Sequence, residues 1–239
     1  MMAGQVYNTK KLELNRVVFL GRTWEEYLLI FDLKEEQLIG KSVLDCPGGA
    51  CSFTAIANQR GIRSVAADLA YYHSVEALKE KGLQDIEYII PKIEQVKDNY
   101  RWDYFENIVE LKNKRVTALS QCIKDMEETN KSRYFPVVLP VLPFEDGFFD
   151  ITLSAHLLFM YADNIDYYFH IQTIDELLRV TKEEVRIFPI TDMNGKRYDR
   201  IDEIKEWIVM RGWEAVESKS SYEFHKNVNT MLKIRKTSE

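Results

Sequence analysis

Short strand-like segments alternate with amphipathic helical segments five times between residues 42 and 212, and two further strand-like segments follow with no helix between them. That alternation leaves few folds open. A strand, a crossover helix and a second strand give parallel pairing with a right-handed connection, and helices then cover both faces of the sheet. The strands are expected at 42–45, 63–67, 134–139, 149–154 and 185–190, with helices at 24–32, 53–60, 75–81, 166–180 and 200–210. Thr23 and Glu26 fit a capping box ahead of the first helix, and Gly61, Gly82 and Gly212 read as helix stops. The late segments, 213–218 and 228–234, pair as a hairpin that adds an antiparallel edge. The expected architecture is α/β: a doubly wound, mostly parallel, seven-stranded sheet in one domain over residues 1–239.

Residues 83–133 break the pattern. Charges are dense, and Val116, Leu119, Ile123 and Met126 fall on one helical face, which predicts a helical insertion within the domain. Residues 92–133 hold nine Lys and Arg against eight Asp and Glu, so the insertion reads as a solvated helical segment rather than a basic arm. Across the chain 38 acids face 32 bases, and the net charge of −6 repels nucleic acid and anionic membrane. The apolar run 28–31 stops at Asp32 and the run 155–162 is broken by His156, far short of the ~20 residues of a membrane helix. Residues 1–11 carry no apolar leader segment, and three cysteines cannot all pair with one another, so a reducing cytosol is the expected compartment.

In a doubly wound sheet, ligands bind at the carboxyl ends of the strands. Four segments reach that rim. The first is residues 43–52, Val-Leu-Asp-Cys-Pro-Gly-Gly-Ala-Cys-Ser, a strand that ends in Asp45 and enters a small-residue loop and a helix. Small residues there let a ligand approach the backbone, and the helix N-terminus offers free amides to an anionic group. The second is Asp68, twenty-three residues after Asp45, a carboxylate able to accept both hydroxyls of a ribose. The third is residues 142–150, Leu-Pro-Phe-Glu-Asp-Gly-Phe-Phe-Asp, leading into the strand that ends at Ser154 and His156. The fourth is Glu-Leu-Leu-Arg-Val-Thr-Lys at 176–182.

These four segments, in this order and over roughly residues 40–235, resemble the class I S-adenosylmethionine (SAM)-dependent methyltransferases, in the branch that includes many small-molecule enzymes. The resemblance implies SAM as cofactor. It places Asp45, Cys46, Pro47, Gly48 and Gly49 at the methionine portion, Asp68 and Leu69 at the ribose, and Leu139 and Pro140 beside the adenine. Ser154 joins them at the fourth strand end, and Tyr27 or Trp24 of the first helix is expected to close over the cofactor. The loop departs from the family's Asp-x-Gly-x-Gly-x-Gly: Pro47 and Cys51 stand at the first and third glycines, and only Gly49 matches. Pro47 has no N–H, so its contact is one of shape. No acid follows the third strand, where 138–140 reads Val-Leu-Pro.

Methyl transfer needs a positioned nucleophile, excluded water and, for a protonated nucleophile, a base. His156 is the candidate base or orienting group and Tyr161 its neighbour, against the plainer reading of a structural hydrogen bond. Tyr100, Trp102, Tyr104 and Phe105 either wall a partly apolar pocket or anchor the insertion. The cysteines read as packing residues, and His73, His170 and His225 as surface or interior polar groups. The expected partner is a small-molecule O or N acceptor, with no nucleic acid or membrane partner and no metal. The chain lacks the family's Asn/Asp-Pro-Pro-Tyr/Phe motif for nucleobase and glutamine amino groups, and a Pro-Cys for cytosine. An RNA or protein acceptor stands behind the small molecule. Two other readings are a non-catalytic SAM-binding or interaction protein of this fold, and an NAD-dependent dehydrogenase. Residues 47–52 do not fit the dehydrogenase's Gly-x-Gly-x-x-Gly.

Overall fold

A computed structural model describes residues 18–237; the expectation about a leader in residues 1–11 lies outside the described residues. The strands β1 (Ser42–Asp45), β2 (Arg63–Asp68), β3 (Tyr134–Pro136), β4 (Phe149–Ala155), β5 (Thr181–Phe188), β6 (Trp213–Lys219) and β7 (Thr230–Lys236) form one sheet in the order β3-β2-β1-β4-β5-β7-β6. The first five are mutually parallel, and β7 runs antiparallel to both β5 and β6. The expected doubly wound, seven-stranded, mostly parallel sheet is the one observed. The antiparallel strand is β7, which inserts between β5 and β6 and so lies one position in from the edge.

Alternation along the strands divides the core in two. Val43 and Ala66 face one layer, with α1 (Trp24–Ile30), α2 (Phe53–Gln59), α3 (Val75–Gln95) and α4 (Ile108–Glu128). Leu44 and Ala67 face the other, with α5 (Tyr167–Arg179) and α6 (Ile201–Val209). Thr23 caps α1 in the expected box, its hydroxyl accepting from the Glu26 amide while the Glu26 carboxylate accepts from the Thr23 amide. Arg186 of β5 anchors the far end of α1 by donating to the carbonyls of Phe31 and Asp32.

Three boundaries differ from the sequence reading. Gly82 does not stop a helix: α3 runs through it to Gln95. A Cβ at Gly82 would meet the Leu119 methyls at 2.5 and 2.7 Å, so this glycine allows α3 and α4 to approach closely. Strand β3 is only three residues long, and β5 starts at Thr181, four residues early, immediately after α5. The motif at 176–182 turns out to be a clamp for the β3–β4 connection. Arg179 donates to the Leu142 and Phe144 carbonyls and to Asp146, while Glu176 accepts from Arg179 and from the Leu142 amide. No helix of the described residues is long and apolar enough to cross a membrane.

Candidate active site

A cavity of about 670 Å³ opens at the carboxyl ends of the parallel strands. Its wall takes Pro47, Gly48, Gly49 and Cys51 from the loop after β1, and Ala67, Asp68, Leu69 and Ala70 from the end of β2. Val137, Val138 and Leu139 follow β3, and Ala155, His156 and Leu157 follow β4. Tyr27 of α1 and Tyr161 complete this side. Of the residues singled out from the sequence, Trp24, Asp45, Cys46, Pro140 and Ser154 do not line the cavity. Cys46 points into the second core layer, a packing role. Asp45 sits behind Tyr27, whose hydroxyl donates to its Oδ1 at 3.0 Å, while the buried Oδ2 has no hydrogen-bond partner among the described residues. Burial pushes the Asp45 carboxyl far above its ordinary value; the Tyr27 hydrogen bond opposes this and the Asp68 charge adds to it.

The glycine loop is organised differently from the open cradle that the sequence suggests. The Gly48 amide donates to the Ala67 carbonyl, Gly49 to Asp68, Cys51 to the Gly48 carbonyl and Ser52 to the Arg22 carbonyl. A Cβ on Gly21 would lie 2.0 Å from the Ala50 carbonyl oxygen, so the strand-like approach to α1 lies directly on the start of α2. Four amides of the loop and the α2 N-cap are therefore consumed within the protein. Gly49 holds a φ of +53°, which favours glycine, and a Cβ on Gly48 would strike the Tyr71 hydroxyl at 2.6 Å.

Asp68 retains capacity for a ligand. Its Oδ2 accepts from the Gly49 amide and its Oδ1 from the Ala70 amide, each at 2.8 Å. A carboxylate has about four acceptor positions, so roughly two stay open toward the cavity, the number a vicinal diol requires. Burial raises its pKa and the two amides draw it down.

Across the cavity, His156 follows β4 with a φ of +57°, its amide donating to the Phe188 carbonyl and its ring against the Phe188 ring. Burial, with the Arg22 and Arg115 charges adding, holds its pKa well below 6.5. The imidazole is thus neutral at physiological pH and able to accept a proton. Tyr161 is pushed above 10.0 by burial, so it is a neutral donor.

The remaining wall escaped the sequence reading because it comes from distant segments. Ile89 and Ile93 of α3 and Leu111 and Arg115 of α4 close one side; Tyr222, Phe224, His225 and Val228 of the β6–β7 loop close another. Of the four aromatics at 100–105, Tyr100 alone lines the cavity. Trp102 and Phe105 pack on Phe224 at 5.4 and 4.9 Å and Tyr104 packs on Tyr222 at 5.8 Å, so these three anchor the segment. Main-chain bonds stitch the same contact: the Arg101 amide donates to the Phe224 carbonyl and the Lys226 amide to that of Asn99. Beneath it, Glu26 and Arg115 form a fully buried bidentate pair at 2.6 and 2.9 Å, and the Tyr222 hydroxyl donates to the same carboxylate at 2.9 Å. His170 is structural, with one ring nitrogen on the Asp166 carbonyl and the other on that of Leu158. The three cysteines are free and buried, and burial pushes Cys51 up to about 12.

No protein-family model matches the chain. Among solved structures, it is similar to the magnesium protoporphyrin IX methyltransferase of Synechocystis with bound S-adenosylhomocysteine, at 11% identity and a TM-score of 0.47, covering 89% of this chain and 81% of that one. It is also similar to a SAM-dependent methyltransferase from Aquifex aeolicus, at 11% identity and a TM-score of 0.42, over 89% and 93% of the two chains. A tRNA methyltransferase from the same organism gives 11% and 0.42, over 90% and 69%. These are likenesses in chain course alone. In sequence, the chain is 34% identical over 226 residues to the uncharacterized protein MJ0045 of Methanocaldococcus jannaschii, spanning 94% of this chain and 99% of that one. The chain belongs to the same family as that Methanocaldococcus jannaschii protein.

Proposed function

We propose that this chain is a SAM-dependent methyltransferase acting on an O or N atom of a small molecule, in the reducing cytosol. The observation that carries the reading is one cavity that joins two chemically distinct ends. At one end Asp68 keeps acceptor positions open beside the glycine loop; at the other stand a neutral His156 and Tyr161. The residues fit the cofactor. Asp68 suits the ribose hydroxyls, Leu69, Val138 and Leu139 offer an apolar bed for a purine, and the wall at Gly48 and Gly49 carries no side chain to obstruct the methionine portion.

When bound, SAM supplies an electrophilic methyl group on a sulfonium. The chain's own part is to hold, orient and exclude water. The segment 83–133, through Ile89, Ile93, Tyr100, Leu111 and Arg115, serves as the substrate cover. His156 accepts the proton of the attacking O–H or N–H, and Tyr161 donates to an oxygen of the acceptor. A cavity so lined by Phe188, Phe224 and Val228 suits a partly apolar molecule rather than a nucleic acid strand.

Thermal unfolding and calorimetry with SAM, S-adenosylhomocysteine and NAD test the cofactor, since a ligand of the native state raises its apparent stability. Stabilisation by the first two and not by NAD is expected; stabilisation by NAD alone, or by none, overturns the proposal. A metabolite screen for S-adenosylhomocysteine release tests the chemistry. Binding without turnover on any small molecule, or turnover on RNA or protein only, refutes the acceptor class.

A further inference from the structure

We propose that Arg22 forms an anion subsite in this cavity, so that the methyl acceptor carries a carboxylate or phosphate group. The proposal rests on the methyltransferase reading for the word acceptor, and on hydrogen-bond saturation and charge for the subsite. Arg22 lies in the segment laid across the start of α2 and lines the cavity. Its guanidinium stands 3.9 Å from Glu26 Oε1, but that carboxylate has no room for it. Oε1 already accepts from Arg115 Nη2 and the Tyr222 hydroxyl, and Oε2 from Arg115 Nη1 and the Thr23 amide. Four donors fill about four acceptor positions. Among the described residues Arg22 Nε is left buried with no hydrogen-bond partner, and Nη1 reaches only the Gly21 carbonyl at a long 3.5 Å.

The charges do not cancel either. Arg22, Arg115 and Glu26 together carry one net positive charge at an otherwise apolar end of the cavity. Among the described residues, neither of the other acids on the wall, Asp68 and Asp192, forms a hydrogen bond or ion pair with Arg22: Asp192 accepts from the Asn194 and Lys196 amides and Asp68 from those of Gly49 and Ala70. A cation whose side chain is only 17% exposed and whose buried donor is unfilled is destabilising unless an anion completes it, and a guanidinium presents its fork to a carboxylate or phosphate. The Arg22 charge is felt at Tyr100, His156, Tyr161 and Tyr222, and also at Glu26 and at Cys51 of the glycine loop, so the anion would lie between the candidate base and that loop. The Ser52 amide at the start of α2 is spent on the Arg22 carbonyl, and the Arg22 side chain brings positive charge to this part of the cavity.

The test uses three probes of similar shape, benzoate, phenyl phosphate and neutral benzamide, measured by calorimetry on the full chain with and without S-adenosylhomocysteine. The wild type should bind at least one anion about 10- to 100-fold tighter than benzamide. Arg22→Gln should abolish that preference while keeping S-adenosylhomocysteine affinity within threefold, which also reports that the variant is folded, and Arg22→Lys should retain part of it. Benzoate against phenyl phosphate decides which anion the site takes. No anion preference in the wild type, or an undiminished one in Arg22→Gln, overturns the proposal. So does a tenfold or greater loss of S-adenosylhomocysteine affinity in Arg22→Gln, because the anion would then be the cofactor's own carboxylate. Failure of S-adenosylhomocysteine to bind the wild type defeats the methyltransferase reading, and the arm without it still decides the subsite.

Discussion

Asp68→Asn is the most informative single change at the cofactor end. The substitution keeps size and shape but replaces one acceptor oxygen by an NH2 donor. In the native loop both oxygens face backbone donors, the Gly49 and Ala70 amides, each at 2.8 Å. Whichever way the Asn amide turns, its NH2 opposes one of them. The variant therefore loses one internal hydrogen bond and one of the positions open to a ribose hydroxyl, and the surviving bonds lose their charge. Charge-assisted hydrogen bonds contribute about 1.5–3 kcal/mol each, neutral ones about 1. The expected loss in S-adenosylhomocysteine binding is about 2–3 kcal/mol, or roughly 30- to 150-fold in Kd. The loop bond adds about 1–2 kcal/mol of lost stability without ligand, a fall in Tm of about 2–8 °C for a chain of this size. Titration calorimetry with the product cofactor, which cannot react, reads the first quantity and differential scanning calorimetry the second. Affinity within twofold of the wild type would refute the placement of the ribose at Asp68, and an unchanged Tm would refute its role in holding the loop.

Gly82→Ala should destabilise by about 1–3 kcal/mol in urea despite the better helix propensity of alanine, and adding Leu119→Ala should make the glycine substitution nearly neutral or favourable. Glu26→Gln should cost about 3–5 kcal/mol, because Arg115 stays buried without its counter-ion. Burial raises the Glu26 pKa but Arg115 and its hydrogen bonds prevail, leaving it below 4.5. The native state then binds fewer protons here than the unfolded chain. The contribution is present above pH 4.5 and lost as pH falls through the lower native value, so the stability gap between wild type and Glu26→Gln should narrow in that window. His156→Asn, chosen because Asn tolerates the left-handed backbone, should lower turnover by about 10²- to 10⁴-fold with cofactor affinity unchanged. Since the His156 pKa is depressed, activity limited by this base should hold down through pH 6.5 and fall only at lower pH, and a wild-type rate that halves near neutrality argues against it.

The fold was legible because its information is local and periodic: strand β1 and the capping box at Thr23 fall where the spacing puts them, and the rim follows from topology. Gly82 was misread for a physical reason. A glycine that ends a helix and one that admits a neighbouring helix look alike in one chain, and only Leu119, 37 residues on, distinguishes them. The small-residue loop was found, yet its amides are spent on Ala67, Asp68 and Gly48, partners that no spacing rule names. Asp45 was correctly placed at a strand end but stands behind Tyr27. Arg22 and Arg115 left no signal, since the filling of the Glu26 carboxylate by Arg115, Tyr222 and Thr23, which leaves Arg22 over, depends on segments that meet only in space.

The stitched contact between the β6–β7 loop and residues 97–105 also orders events in time. Asp68, the glycine loop and the base candidate are all present once synthesis has passed residue 156. The chamber they serve is not. Its last wall, and the Tyr222 hydroxyl that fills the fourth position on the Glu26 carboxylate, arrive only with the final hairpin. Until then the segment around Tyr100 lacks Phe224 to pack on, and Arg101 and Asn99 lack their main-chain partners. A chain cut before residue 213 therefore carries the candidate-site residues in an open trough, and enclosure comes only when the β6–β7 segment has been added.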